Sequence, residues 1–160
     1  MTISVGDRLP DAEFAVMTQD GPAKRSVADL FDGRKVVLVA VPGAFTPTCH
    51  NKHLPGFTEH ADTIRSKGVD EIAFTTVNDI HVTNAWAKAS NADGITFLSD
   101  GNAEFARAIG MDIDLGVAGM GVRSKRYAML VDDREVKVLN VEDSPGQAEK
   151  SGEAAILEAL

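Results

Sequence analysis

Apolar residues recur along this chain with two alternating periods. Short apolar runs rich in β-branched residues predict strands at 14–17, 35–41, 72–77, 95–98, 126–131 and 135–140. Apolar residues at helical spacing predict helices at 26–31, 47–67, 82–90, 104–109 and 154–160. Strands that alternate with helices are typical of an α/β fold, and a late hairpin around 132–134 adds an antiparallel pair. The pattern therefore predicts a mixed sheet flanked by helices.

The clearest helix pattern follows the most continuous strand pattern. Residues 35–41 are almost all apolar, as expected of a strand that is covered on both faces. The apolar positions of the following helix recur at spacings of three and four residues: Leu54, Phe57, Ala61 and Ile64. Pro55 lies inside this helix and is expected to kink it, because proline removes one backbone hydrogen bond and clashes with the preceding turn.

Cys49, the one cysteine in the sequence, lies at the start of that helix. Thr46 followed by Pro47 is typical of a helix N-terminus, with threonine as the N-cap and proline at the first helical position. Cys49 is then in the first turn, among unpaired backbone N–H groups and at the positive end of the helix dipole. Such surroundings favour the thiolate form of a cysteine, which is its nucleophilic form. The sequence therefore offers one activated sulfur at the end of a buried strand.

The charge and composition narrow the range of functions. Among 160 residues there are 16 Lys and Arg and 24 Asp and Glu, and the formal net charge is −8. This balance argues against general binding to nucleic acids or anionic membranes, which need a basic surface. The length and the 44% hydrophobic content predict one domain over residues 1–160. Residues 1–7 show no signal-peptide pattern and a lone cysteine forms no internal disulfide, so a cytoplasmic location is expected.

The octapeptide Pro42–Cys49, PGAFTPTC, is a highly specific motif. Further characteristic stretches follow it in order, at 53–57, 77–79, 85–86 and 121–127. Together these residues resemble the peroxiredoxins, specifically their type II branch, which is also called type 5. The resemblance spans nearly the whole chain. It implies a thioredoxin-like fold and the thiol-dependent reduction of peroxides.

The resemblance also implies roles for individual residues. Cys49 would be the peroxidatic cysteine, which attacks one peroxide oxygen and becomes a sulfenic acid. Thr46 would hydrogen-bond the thiolate and the incoming peroxide, and Pro42 would shield the pocket from water. Arg123 would stabilise the thiolate and the charge that develops as the O–O bond breaks, whereas Arg126 is interpreted as a structural or supporting residue. The implied substrates are hydrogen peroxide and alkyl hydroperoxides, with no cofactor or metal and with a homodimer as the assembly.

This sequence departs from many members of that family because it has no second, resolving cysteine. Plant-like members carry it near the strand at 72–77, where this chain has Ala73 and Phe74. Animal-like members carry it near the C-terminus, where residues 149–152 contain none. Cys49 must then be regenerated by an outside thiol: glutathione with or without glutaredoxin, thioredoxin, or a small thiol. Glutathione is favoured, because a mixed disulfide on a lone cysteine is its natural product.

Two other functions stay open for a chain with one activated cysteine. A thioredoxin-type thiol–disulfide oxidoreductase is disfavoured, because the sequence has no C-x-x-C motif. A non-catalytic redox sensor would pass oxidation from Cys49 to a partner protein. Such a sensor needs the same thiol chemistry but little turnover.

Two further patterns have structural explanations. His50, His53 and His60 fit no zinc-ligand spacing, so they are expected to be solvated or core histidines rather than a metal site. The glycine-rich stretch 116–121 matches neither a Rossmann fingerprint nor a P-loop. It is interpreted as a flexible loop that delivers Arg123.

Overall fold

A computed structural model describes residues 2–92 and 94–160 as a mixed sheet with helices on both faces. The strands are β1 (Glu13–Thr18), β2 (Gly21–Ser26), β3 (Lys35–Val41), β4 (Glu71–Thr76), β5 (Thr96–Ser99), β6 (Asp112–Asp114), β7 (Val122–Ser124), β8 (Tyr127–Asp132) and β9 (Glu135–Val141). The helices are α1 (Val27–Phe31), α2 (Leu54–Ser66), α3 (Ile80–Ala89), α4 (Glu104–Ala108) and α5 (Glu153–Ala159). No described helix is long and apolar enough to cross a membrane.

The main sheet has seven strands in the order β2-β1-β5-β4-β3-β8-β9. Strand β4 pairs parallel with β3 on one side and with β5 on the other, whereas β8 pairs antiparallel with β3. The late hairpin is present as β8 and β9, and its turn residues Asp133 and Arg134 both have positive φ. The predicted mixed sheet of an α/β fold is therefore confirmed.

Strand β3 contributes to both halves of the core. Its even-numbered residues from 36 to 40 pack with apolar residues of α1 and α4 on one face of the sheet. Its odd-numbered residues from 37 to 41 pack with α2, α3 and α5 on the other face. This arrangement confirms that residues 35–41 are covered on both sides, with Lys35 half-buried at the end. The residue that follows this strand is thereby held in a rigid position, and the functional site begins there.

The structure also contains strands that the apolar pattern does not predict. β2 lies at the edge of the sheet and has no apolar run, because most of its side chains are polar and exposed or half-buried. β6 and β7 form a separate two-stranded sheet of three residues each, joined through a 3₁₀ turn at Gly116–Ala118. The stretch 116–121, which was expected to be a loop, connects these two strands, and Arg123 lies in the second of them.

A half-buried carboxylate connects several strands at the end of the sheet away from Cys49. Glu71 of β4 accepts two hydrogen bonds from Arg25, at 2.8 and 2.9 Å, and one from Arg34 at 2.6 Å. Thr96 Oγ1 donates to the same carboxylate. Burial by itself would raise the pKa of Glu71, but the hydrogen bonds from Arg25, Thr96 and Arg34 outweigh it and lower the pKa to about 2.

Glu71→Gln is expected to lower the free energy of unfolding by about 2 kcal/mol at pH 7, because two arginines lose a charged acceptor. Since the folded-state pKa lies below the ordinary 4.5, this stabilisation is present above about pH 4.5 and is lost as the pH falls towards 2. Urea unfolding should therefore show a smaller difference between the two proteins at about pH 3. Glu59→Gln, the same change at an exposed position, is the control and should have little effect. An equal loss at both pH values would contradict the role of the carboxylate charge.

Candidate active site

Cys49 lies at the start of the helix that follows β3. Residues 47 and 48 are already helical, and the His50 amide donates to the Thr46 carbonyl at 2.9 Å. The predicted helix start directly after Thr46 is therefore confirmed, and Cys49 lies in the first turn. Its side chain is buried, with 0% of the residue exposed. Only a small reactant or an opening of the site can bring a substrate to this sulfur.

The helix is π-helical from Cys49 to His53 before it continues as α2. The Leu54 amide donates to the Cys49 carbonyl, five residues earlier. Pro55 follows directly and has no amide hydrogen to donate, which fits a shift of hydrogen-bond register at this place. The disruption predicted at Pro55 is thus present as a wider turn just before the proline. Both Cys49 and His53, at the two ends of that turn, are buried.

The residue in contact with the sulfur is Arg126. This residue directly precedes β8, which pairs with β3 so that Tyr127 lies beside Ala40. Arg126 Nη2 donates to Cys49 Sγ at 2.8 Å, and only 2% of the arginine is exposed. A guanidinium at this distance donates a hydrogen bond to the sulfur and places a permanent positive charge beside it. A buried cation in this position can stabilise negative charge that develops on a reacting group beside it.

Two further hydrogen bonds hold the Arg126 guanidinium. Its Nε donates to the Pro145 carbonyl at 3.0 Å, and its Nη1 lies 2.9 Å from His53 Nδ1. On its other side, His53 Nε2 lies 2.8 Å from the Ser151 carbonyl oxygen. The pKa of His53 is lowered to about 4. Burial is the largest cause and the positive charge of Arg126 adds to it, whereas the hydrogen bond to the Ser151 carbonyl raises the pKa. His53 is therefore a neutral imidazole at pH 7.

The other predicted site residues lie on the loop between β3 and the helix or pack against it. Pro42 is buried directly after β3, and Thr46 is half-buried. Thr46 Oγ1 donates to the Gly43 carbonyl at 2.7 Å. The hydroxyl therefore hydrogen-bonds within the loop instead of making the N-cap bond to the helix that was expected of it. A Cβ atom on Gly43 would lie 3.1 Å from Thr46 Cγ2 and 3.4 Å from Arg123 Nη1. Thr46 and Arg123 therefore both pack on this loop.

The contact with the sulfur, expected of Arg123, is made by another arginine. Arg123 donates from Nε to the Met120 carbonyl at 2.8 Å and from Nη1 to the Val77 carbonyl at 3.1 Å. The interpretation of Arg126 as a structural or supporting residue needs correction, because Arg126 makes the contact. A role for Arg123 beside Gly43 stays a prediction. Arg126 could have been found from strand direction: a residue preceding a strand antiparallel to β3 lies beside the end of β3.

The remaining histidines near the site are hydrogen-bonded elsewhere. His50 Nδ1 accepts from the indole Nε1 of the buried Trp86 at 3.1 Å, and His60 Nδ1 lies 3.0 Å from the Gly56 carbonyl. Within residues 2–92 and 94–160, no group of three or more His, Cys, Asp or Glu side chains is placed to hold a metal ion. The chemistry that the described residues offer is that of one sulfur and its arginine.

This geometry suits a nucleophilic attack whose leaving group becomes negatively charged. The Cys49 sulfur is the atom of this arrangement that could act as the nucleophile, in the thiolate form, which is far more reactive than a thiol. A fixed guanidinium beside it can stabilise charge that develops on a departing oxygen in a water-poor site. Because the sulfur is fully buried, a reacting partner must either be small or enter through an opening of the site.

Comparisons with known proteins find similarity over nearly the whole chain. A family model described as Redoxin matches residues 4–157. Peroxiredoxin-2E-2, chloroplastic, of Oryza sativa subsp. japonica is 51% identical over 99% of this chain and 73% of its own length, and Peroxiredoxin-2C of the same plant is 44% identical over 99% and 98%. The crystal structure of reduced Prx3 in complex with H2O2 from Vibrio vulnificus has a TM-score of 0.94 and 47% identity, and covers 99% of both chains.

Proposed function

Since this chain belongs to the redoxin family and, within it, to the peroxiredoxins, which are thiol-dependent peroxidases, we propose that Cys49 is the residue that the peroxide oxidises. The observation that carries the proposal is the 2.8 Å hydrogen bond from Arg126 Nη2 to the sulfur of the one cysteine in the sequence. The substrates proposed are hydrogen peroxide and alkyl hydroperoxides. The small peroxide is compatible with the full burial of Cys49.

The first half-reaction transfers one oxygen to the sulfur. The Cys49 thiolate attacks the terminal oxygen of ROOH, and the S–O bond forms as the O–O bond breaks. The attacked oxygen keeps its hydrogen, so the sulfur is oxidised to a sulfenic acid. The departing RO⁻ takes up one proton and leaves as an alcohol, or as water when the substrate is hydrogen peroxide. Arg126 would stabilise first the thiolate and then the charge on the departing oxygen.

The second half-reaction is proposed to use glutathione, with or without glutaredoxin. One glutathione thiol condenses with the sulfenic acid to form a mixed disulfide and release water. A second glutathione then attacks that disulfide, which releases glutathione disulfide and restores the Cys49 thiol. The lack of a second cysteine in the sequence supports an external thiol. Thioredoxin is the alternative reductant.

Single-turnover oxidation of the reduced protein by hydrogen peroxide tests the proposal. Trp86 is the one tryptophan in the sequence and donates to His50, the neighbour of Cys49, so its fluorescence should follow the reaction. We expect oxidation orders of magnitude faster than that of free cysteine, with a mass gain of one oxygen atom. Added glutathione should replace that oxygen with a glutathione adduct and sustain peroxide consumption. Oxidation at the rate of free cysteine would contradict the proposal.

The same experiment separates the peroxidase from the redox sensor. Rapid oxidation of Cys49 without turnover by glutathione, glutaredoxin or thioredoxin would favour a sensor that passes its oxidation to a partner protein. A homodimer and a cytoplasmic location are further parts of the proposal. Sedimentation velocity of the purified protein and fractionation of cells that produce it would test these two points.

A further inference from the structure

We infer that His53 is a positioning residue of the peroxidase reaction, because it holds Arg126 in the orientation in which Nη2 faces the Cys49 sulfur. The resemblance to known peroxiredoxins assigns roles to the residues at 42, 46, 49 and 123, and none to this histidine. The inference deepens the proposed function and rests on the proposed role of Cys49. It is carried by a chain of buried hydrogen bonds.

The partners of His53 determine which ring nitrogen carries the hydrogen. A guanidinium can only donate, so His53 Nδ1 must accept the bond from Arg126 Nη1 at 2.9 Å. A carbonyl oxygen can only accept, so Nε2 must carry the hydrogen and donate to Ser151 at 2.8 Å. The neutral Nε2–H tautomer satisfies both partners. A doubly protonated ring would set an N–H group against a guanidinium N–H and break the bond to Arg126.

The bond from His53 completes the support of a planar group. All three guanidinium nitrogens of Arg126 have a partner: Nε the Pro145 carbonyl, Nη1 the histidine and Nη2 the sulfur. Because the guanidinium is planar, the first two contacts determine where Nη2 points. Pro145 lies in the segment after β9, whereas His53 belongs to the same π-helical turn as Cys49. His53 is therefore the partner that aligns Arg126 with the helix that carries the sulfur.

His53 is itself held on several sides. The carboxylate of the buried Glu142 accepts from the Ser151 amide at 2.6 Å and from its hydroxyl at 2.5 Å, which secures the carbonyl that His53 contacts. The imidazole also packs against the rings of Phe57 and Phe74, with centroids 5.7 and 5.8 Å away. Arg126 and Glu142 are the charged groups that act on it. The ring is thus buried in one orientation, as a positioning role requires.

Single-turnover oxidation by hydrogen peroxide in two backgrounds separates positioning from a general structural role. His53→Phe keeps an aromatic ring and removes the hydrogen bonds to Arg126 and Ser151. We expect it to slow oxidation about tenfold, the effect of losing the one hydrogen bond that orients Arg126. When Arg126→Ala is already present, the same change is expected to alter the rate less than about twofold, because the group that it orients is gone. His60→Phe, the same substitution on the same helix and away from Arg126, is the control and should leave the rate unchanged.

Two amide variants test the two hydrogen bonds of His53 separately. An asparagine can place its amide oxygen near the position of Nδ1 and so keep an acceptor for Arg126. A glutamine can place its amide nitrogen near the position of Nε2 and so keep a donor for Ser151. We expect His53→Asn to oxidise within about threefold of the wild-type rate and His53→Gln to be as slow as His53→Phe.

Three results would overturn the inference: equal slowing by His53→Phe in both backgrounds, a faster His53→Gln than His53→Asn, or fast wild-type oxidation that His53→Phe leaves unchanged. Urea unfolding of each variant monitors the fold. Where His53→Phe does not fold, the comparison of the two amides decides. Wild-type oxidation no faster than that of free cysteine would contradict the role of Cys49 and the inference with it, so the two failures are distinguishable.

Discussion

Replacing Arg126 by alanine is expected to slow the oxidation of Cys49 by hydrogen peroxide about 10²–10³-fold, the usual cost of losing one fixed donor to a developing charge. The guanidinium is buried together with the sulfur and donates to it at 2.8 Å. Its removal takes away both a hydrogen bond and a positive charge in a site with little water to replace them. Stopped-flow measurement of single-turnover oxidation, followed by Trp86 fluorescence, gives the rate.

Two matched variants show whether the effect belongs to this arginine. Arg126→Lys keeps the charge but loses the planar fork, so we expect a rate between those of wild type and alanine. Arg123→Ala removes a neighbouring arginine whose described bonds go to the Met120 and Val77 carbonyls, and we expect a loss of less than about tenfold. An Arg123→Ala variant as slow as Arg126→Ala would contradict the distinction that the geometry draws between them.

Replacing Cys49 by serine is expected to abolish peroxide reduction. A serine hydroxyl is not ionised at neutral pH and its oxygen is not oxidised by peroxide, and the sequence has no other cysteine to take its place. The serine oxygen can still accept the hydrogen bond from Arg126, so the fold should persist. Peroxide consumption in the presence of glutathione and glutaredoxin is the direct measurement.

The five methionines of the sequence are the competing targets in this experiment, because sulfoxide formation also adds one oxygen atom. Any mass gain that Cys49→Ser still shows belongs to them and will not be reversed by glutathione. A fast mass gain that glutathione reverses should therefore be confined to wild type. Sustained turnover by Cys49→Ser would contradict the assignment of the reactive sulfur.

Local signals in the sequence were strong wherever one segment determines its own structure. The apolar run 35–41 predicted a strand covered on both faces, and each face meets its own half of the core. Thr46 and Pro47 predicted where the next helix begins, because threonine is frequent at helix N-caps and proline needs no N–H in the first turn. The helix begins there, although the Thr46 hydroxyl donates to the Gly43 carbonyl. Pro55 predicted a disruption in that helix, although not that it would be a π-helical turn.

The sequence pattern was weak for strands that are stabilised mainly by pairing with a neighbouring strand. The edge strand β2 has no apolar run, and β6 and β7 are three residues each. Pairing and register stabilise such segments more than their own composition does. This is also why the two short strands on either side of the loop 116–121 were not predicted. The role expected of Arg123 at the sulfur came instead from the resemblance to peroxiredoxins.

By itself, the sequence determined that this protein has one cysteine and that it lies at a helix start after a buried strand, and it supports the proposal that an outside thiol restores this cysteine. The tertiary structure alone decided which arginine meets the sulfur. Arg123 and Arg126 are three residues apart, but only Arg126 directly precedes β8, whose antiparallel register with β3 carries it to the end of that strand. The contacts of His53 with Arg126 and Ser151 likewise join segments 73 and 98 residues apart. Local pattern cannot reveal such contacts, because strand pairing and packing, rather than spacing along the chain, bring these residues together.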